Sequence, residues 1–277
     1  MIRQVGRLTN DDFKLMDAHV EKIFKALDKG SSSLAEKKIL EMANTPNYFT
    51  REELGKRLAT YKGKGNLDEI CSRMLEHRLY GIRATALFYF YYKHQDDPKV
   101  IVKIIEKTLE TVPWESETIA FELWKRHSDV MKEEMPRWAK SDNAKKRAMS
   151  MHGMENIAAK DPAYIMNFIN NLLDDESEEV QKKITHVLTQ VGRMRPVQCY
   201  NAIKGWLQDA DEKRIRTIWM TMKKLTNILM QKSRRDKTQD FINITQKTVK
   251  EWKSDANPNV AQMGAKLAQI MNRPSAQ

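Results

Sequence analysis

The chain is poor in cysteine, with only Cys71 and Cys199 in 277 residues. They stand far apart without a Cys-x-x-Cys partner, which excludes a disulfide framework and a cysteine zinc site and suits reduced thiols. Long apolar runs are also missing. The longest, Ala84 to Tyr92, is about half of the ~20 residues a bilayer requires, so it reads as a buried helix and no membrane partner is expected. The first residues, Met1-Ile-Arg-Gln-Val-Gly-Arg, lack the apolar core of a signal peptide, and a cytoplasmic protein is expected. No His-x-x-x-His spacing occurs among the six histidines, so no metal is expected. Gly63-x-Gly65 lacks the third glycine and the preceding strand of a dinucleotide loop, and there is no Gly-Lys-Ser/Thr loop; no cofactor is expected. Nowhere does an alternating strand pattern compete with the helical one.

What is present is helix after helix, with an excess of positive charge. Lys and Arg number 48 against 37 Asp and Glu, a formal net charge of +11. Phe13, Met16, Val20, Ile23, Phe24 and Leu27 line one face of a first helix that Asn10 or Asp11 caps and Gly30 ends. A second helix runs from Leu34 to Met42. A third begins at the capping box Thr50-Arg-Glu-Glu53 and stops before Gly63-Lys-Gly65. Twelve more are predicted near 67–77, 79–94, 98–110, 115–127, 129–139, 143–159, 162–173, 177–191, 195–207, 211–231, 236–253 and 257–272, with a basic linker at 231–237.

Three phrases repeat. Trp138-Ala-Lys-Ser-Asp-Asn-Ala-Lys-Lys-Arg147, Leu172-Leu-Asp-Asp-Glu-Ser-Glu-Glu-Val-Gln-Lys182 and Trp206-Leu-Gln-Asp-Ala-Asp-Glu-Lys-Arg-Ile-Arg216 open 34 residues apart, the first with a one-residue gap. Each carries a large apolar residue, a polar turn and a helix start with basic residues. A period of this size in an all-α chain predicts a right-handed solenoid, a superhelix of HEAT-like helical hairpins. We read 1–277 as a single repeat domain, with 1–48 as N-terminal capping helices and 208–277 as an extension whose helices cover the open end of the stack. Asp142, Ser177 and Asp211 are the expected caps of the inner helices. Stacking brings Lys146 and Arg147, Lys182 and Lys183, and Arg214 and Arg216 to matching positions, a positive stripe suited to a polyanion.

The segment Val112-Pro-Trp-Glu-Ser-Glu-Thr-Ile119, continuing through Met135-Pro-Arg-Trp-Ala-Lys-Ser-Asp-Asn143 to Arg147, resembles the bacterial alkylpurine DNA glycosylases of the AlkD type, built from HEAT-like repeats. Weaker similarity extends from about Thr50 to Leu207. In that family a tryptophan is followed four residues later by an aspartate, and a Trp-x-x-Ser-Asp-Asn phrase leads to an arginine. Trp114, the phrase Trp138 to Asn143, and Arg147 match; the aspartate falls on Thr118, a second active-site tryptophan on His186, an arginine on Thr189 and an early tyrosine near Lys38. The resemblance implies a basic concave groove that grips duplex phosphates, a cleft of aromatic residues for a cationic base, and a carboxylate that stabilises the sugar cation left on base loss. Trp114 with Glu117, or Glu115 in its place, are the candidate catalytic residues, and His186 joins the six basic residues as a DNA-facing candidate. Three readings follow: a monomer binding duplex DNA, alkylated or branched; an active glycosylase of N3- or N7-alkylated purines; and a protein-binding scaffold.

Overall fold

The computed structural model describes residues 2–232 and 239–272, and every regular element among them is helical. The order is α1 (Asn10–Asp28), α2 (Ser32–Ala43), α3 (Tyr48–Leu58), α4 (Leu67–Leu75), α5 (Tyr80–Lys93), α6 (Pro98–Thr108), α7 (Pro113–Arg126), α8 (Ser128–Ala139), α9 (Ala144–Met149), a 3-10 turn (Met154–Ile157), α10 (Pro162–Asn170), α11 (Glu178–Met194), α12 (Pro196–Gln208), α13 (Glu212–Lys232), α14 (Gln239–Lys253) and α15 (Pro258–Met271). The chain has the all-helical, helical-repeat fold that the periodicity predicts. None of the described helices is long and apolar enough to cross a membrane.

Two compact units divide it, Met1–Leu123 and Trp124–Gln277. In the first, Met16, Ile23, Ile39, Leu54, Leu58, Ile70 and Met74 build the core, and the apolar run Ala84–Tyr91 of α5 is buried along its whole length. Helix α5 packs on α3 at Gly55. A Cβ there would lie 2.6 Å from Phe88 Cβ and 2.8 Å from the Tyr89 nitrogen, so only glycine lets the two helices approach this closely.

In the second unit α11 packs against α9, α12 and α13 through Val180, Ile184, Val187, Leu188 and Val191. The last two helices close over α12 and α13. Asn257 Nδ2 donates to the Gln208 carbonyl at 2.9 Å, and Asn259 Nδ2 donates to those of Leu207 and Ala210 at 3.1 Å, so side chains from the start of α15 satisfy carbonyls that the end of α12 leaves open. Tyr200 and Thr245 share a buried 2.7 Å hydrogen bond. Cys71 and Cys199 are free and buried, and burial pushes the Cys199 thiol up to about 12, so it is no nucleophile at neutral pH.

Several helix starts differ from the sequence reading. Helix α1 is capped by Thr9, whose hydroxyl accepts from the Asp12 amide while Asp12 accepts from the Thr9 amide, and not by Asn10 or Asp11. Thr50 is not a cap: α3 starts two residues earlier, with Asn47 accepting from the Phe49 amide, and the Thr50 hydroxyl is buried within the helix. The single helix expected at 143–159 is broken, because Gly153 takes φ 90°, a left-handed conformation that ends the run. Asn143 rather than Asp142 caps α9, by accepting from Lys145 and Lys146; Ser177 makes no side-chain cap, and Asp211 accepts from the Arg214 amide at 2.8 Å. The basic linker predicted at 231–237 lies almost wholly outside the described residues.

Candidate functional site

Three helices of the first unit begin with aromatic residues that remain in contact with solvent. Phe49 is the second residue of α3, Tyr80 opens α5 and Trp114 follows Pro113 at the start of α7, with 38%, 37% and 75% of their surfaces exposed. Tyr80 and Trp114 are 34 residues apart, the same interval as the repeat phrases of the second unit. Proline at the first position has the φ that a helix start needs. An indole so exposed adds little packing energy where it stands, and its flat face is open to a planar ligand.

Glu115, the next residue after Trp114, belongs to a buried ion pair. Glu115 is fully buried, and Oε1 accepts from Arg51 Nε at 3.1 Å and Nη2 at 2.6 Å. Arg51, itself 7% exposed, sends Nη1 to the carbonyls of Thr45 at 3.2 Å and Pro46 at 2.8 Å. The other carboxylate oxygen, Oε2, accepts from the Tyr80 hydroxyl. Both charges are thus paired and hydrogen-bonded, the condition under which a buried pair is tolerated. The Tyr80 ring lies 5.6 Å from the Arg51 guanidinium and 5.8 Å from that of Arg83. Burial, and the Glu115 carboxylate accepting its proton, push the Tyr80 phenol well above its ordinary range, so it stays a donor at any physiological pH. Thr118 occupies the position where the AlkD-type pattern has aspartate; its hydroxyl donates to the Trp114 carbonyl at 3.0 Å and lies within reach of the Tyr48 phenol, which burial and the Glu52 charge push up to about 12. Glu117, on the same helix, is half-buried.

The basic candidates of the second unit are distributed differently from a free stripe. Arg147 forms a two-pronged pair with Asp175, Nε to Oδ2 at 2.6 Å and Nη2 to Oδ1 at 3.0 Å, and Nη1 donates to the carbonyls of Ser141 and Asp142 at 2.8 and 2.9 Å. Burial raises the Asp175 carboxyl, but the Arg147 guanidinium and the Ser177 amide outweigh it and hold it below the usual range. Arg214 clamps Asp174 in the same manner. Lys182 reaches Glu178 at 3.3 Å, and the Lys146 ammonium lies 5.6 Å from the centre of the Trp138 ring. Lys183 Nζ is 2.5 Å from His152 Nδ1, and burial together with that ammonium pushes the imidazole down to about 4. His186 Nε2 is 3.2 Å from Glu155 Oε1. Arg216 is exposed to solvent. For Arg147, replacement by alanine is expected to lower stability by about 1–2 kcal/mol, less than for a fully buried pair because its side chain is 20% exposed. Thermal denaturation measures it; an unchanged midpoint would show the clamp to be energetically idle.

Phe49, Tyr80 and Arg51 were not singled out by the sequence. The 34-residue step from Tyr80 to Trp114 is a signal that identifies Tyr80. Nothing local identifies Arg51, whose partner is 64 residues away.

Among solved structures the chain is similar to the Pseudomonas fluorescens alkylpurine DNA glycosylase AlkC bound to DNA containing an abasic site analog, with 15% identity and a TM-score of 0.53 over 78% of this chain and 64% of that one. This shows a shared fold, and the chain covers under two thirds of that enzyme's length. A designed armadillo repeat protein in complex with the peptide (KR)4 aligns over 91% of this chain and 97% of its own, at 14% identity and a TM-score of 0.27. No curated protein matches the chain in sequence. Residues 44–215, well over half of the chain, match the profile of the DNA alkylation repair enzyme family, and the chain belongs to that family.

Proposed function

We propose that this protein binds DNA in the service of alkylation repair, holding an unstacked or cationic base against the exposed Trp114 indole beside Tyr80. The observation that carries this reading is Trp114, left 75% exposed at the start of a helix in a family devoted to DNA alkylation repair. Support comes from the net charge of +11 and from the solved relative that is bound to DNA containing an abasic site analog. An indole face attracts a cationic base by cation-π interaction, and every base has a face that stacks on it.

Base excision is the second reading, and it rests on Glu117. Glu115 is enclosed and neutralised by Arg51, so it acts on the placement of Tyr80 and α7 and does not face a sugar. Glu117 is half-buried on the same helix as Trp114.

One experiment tests both readings: incubate the protein with methylated duplex DNA, and measure retained complex across a salt series together with released bases. The expected result is affinity falling steeply with salt as phosphate contacts release counterions. Absent or salt-insensitive binding would overturn the proposal in favour of a protein-binding scaffold. Release of free N3- or N7-alkylated purine, lost on Glu117→Gln, would add excision to binding.

A further inference from the structure

We propose that a basic cavity of the first unit, at the joint between α4 and α5, is an oxyanion site that takes a backbone phosphate of the bound DNA strand; this rests on the DNA-binding reading above. The cavity has a volume of about 310 Å³, and its lining includes Glu76, His77, Arg78, Arg83, Lys107 and Thr111. Arg78 comes from the turn after α4, Arg83 from the first turn of α5 and Lys107 from the last turn of α6, so the fold brings a cation from the end of α6 to two at the α4–α5 joint. Among the described residues Glu76 is the one carboxylate in the lining, which leaves the cavity with an excess of positive charge. Such a concentration raises the local density of anions.

The donors are available. Arg83 uses Nη1 on the carbonyls of His77 at 2.7 Å and Arg78 at 2.9 Å, and Nη2 on that of Thr111 at 3.1 Å, which braces the cavity wall. Its Nε–H is closed off from solvent, so Arg83 shapes the wall and adds positive charge while the exposed Arg78 and Lys107 supply the donors. His77 Nδ1 accepts from the Leu79 amide at 3.0 Å, so in the neutral ring the remaining nitrogen carries the proton and is a further donor. Arg78 and Lys107 are exposed and form no salt bridge among the described residues. A guanidinium fork with a lysine point charge is the donor set that suits a phosphate.

Arg83 also connects this cavity to the aromatic face, since its guanidinium lies over the Tyr80 ring. A strand whose base rests against Tyr80 and Trp114 therefore has a neighbouring phosphate to place, and the cavity wall begins at the same side chain. This continuity favours a DNA phosphate over free phosphate.

The test is the double variant Arg78→Ala/Lys107→Ala, both exposed positions, compared with the charge-matched control Lys22→Ala/Lys37→Ala and the unchanged protein. Duplex affinity is measured over a salt series, with the thermal midpoint in the presence and absence of inorganic phosphate as a second readout. The expected result is a slope of log affinity against log salt reduced by about 1, weaker binding irrespective of sequence, and an unchanged midpoint without phosphate. The control keeps the slope of the unchanged protein. If the unchanged protein binds DNA and the double variant has the same slope as the control, the cavity inference fails and the DNA-binding reading stands. Should inorganic phosphate stabilise the unchanged protein alone while the DNA slope stays the same, the site takes free phosphate and the assignment to the strand is overturned. An unchanged protein with no affinity for DNA overturns both.

Discussion

Arg51→Ala is expected to cost about 3–5 kcal/mol of stability, a fall in the thermal midpoint on the order of 10 °C. The Glu115 carboxyl would be left without the cation paired with it in this structure, in a site closed to water. The carbonyls of Thr45 and Pro46 would lose their donor at the same time. Removing both charges should behave differently. Arg51→Met/Glu115→Leu replaces a buried pair by apolar side chains and is expected to recover most of the loss, since the desolvation cost of an ion pair roughly offsets its attraction. The double-mutant comparison, by thermal or denaturant unfolding, separates the two. If the single variant lies within about 1 kcal/mol of the unchanged protein, water reaches Glu115 and the buried pair is not the support assigned to it. The double variant also releases the Tyr80 hydroxyl, so under the DNA-binding reading it should fold well and bind DNA less tightly.

Trp114→Ala is expected to reduce DNA affinity by about 1–3 kcal/mol, roughly a 5- to 150-fold weakening, with almost no change in thermal midpoint. A side chain with three quarters of its surface in water has little packing to lose, so a fall in affinity must come from a contact made with the ligand. The weakening should be greater for a duplex with a methylated or unstacked base than for an intact one, because only an extruded base presents its face to the indole. Trp114→Phe keeps a smaller ring and is expected to fall between. Equal affinity of Trp114→Ala and the unchanged protein for every such duplex would remove the aromatic face from the DNA-binding reading.

How far the sequence could be read follows from the range of each interaction. Helix periodicity is local, and α1 shows it plainly: Met16, Val20, Ile23 and Leu27 were expected on one face and are buried there. Caps are decided by a few tenths of an ångström in backbone path. Thr50-x-x-Glu53 has the composition of a capping box yet lies inside α3, because Asn47 reached the open amides first. Position 114 was legible from the motif, but the motif is silent on whether the indole faces water or protein. The same limit applies to the basic residues: register brought Arg147 and Arg214 to comparable positions, and acidic partners at Asp175 and Asp174 then claimed both guanidinium groups.

The amino-acid sequence by itself determined that the chain is helical throughout, that its helices recur at a spacing near 34 residues, that the run from Ala84 to Tyr91 is interior, and that Trp114 stands in a phrase resembling alkylpurine glycosylases. These depend on neighbours along the chain, and hydrophobic period and motif record them directly. Only the tertiary structure decided that Glu115 is sealed against Arg51 and Tyr80, that Trp114 stays exposed, and that Arg78, Arg83 and Lys107 line one cavity. Such pairings join residues tens of positions apart, and their energy depends on the water excluded around them, a property that exists only once the helices have packed.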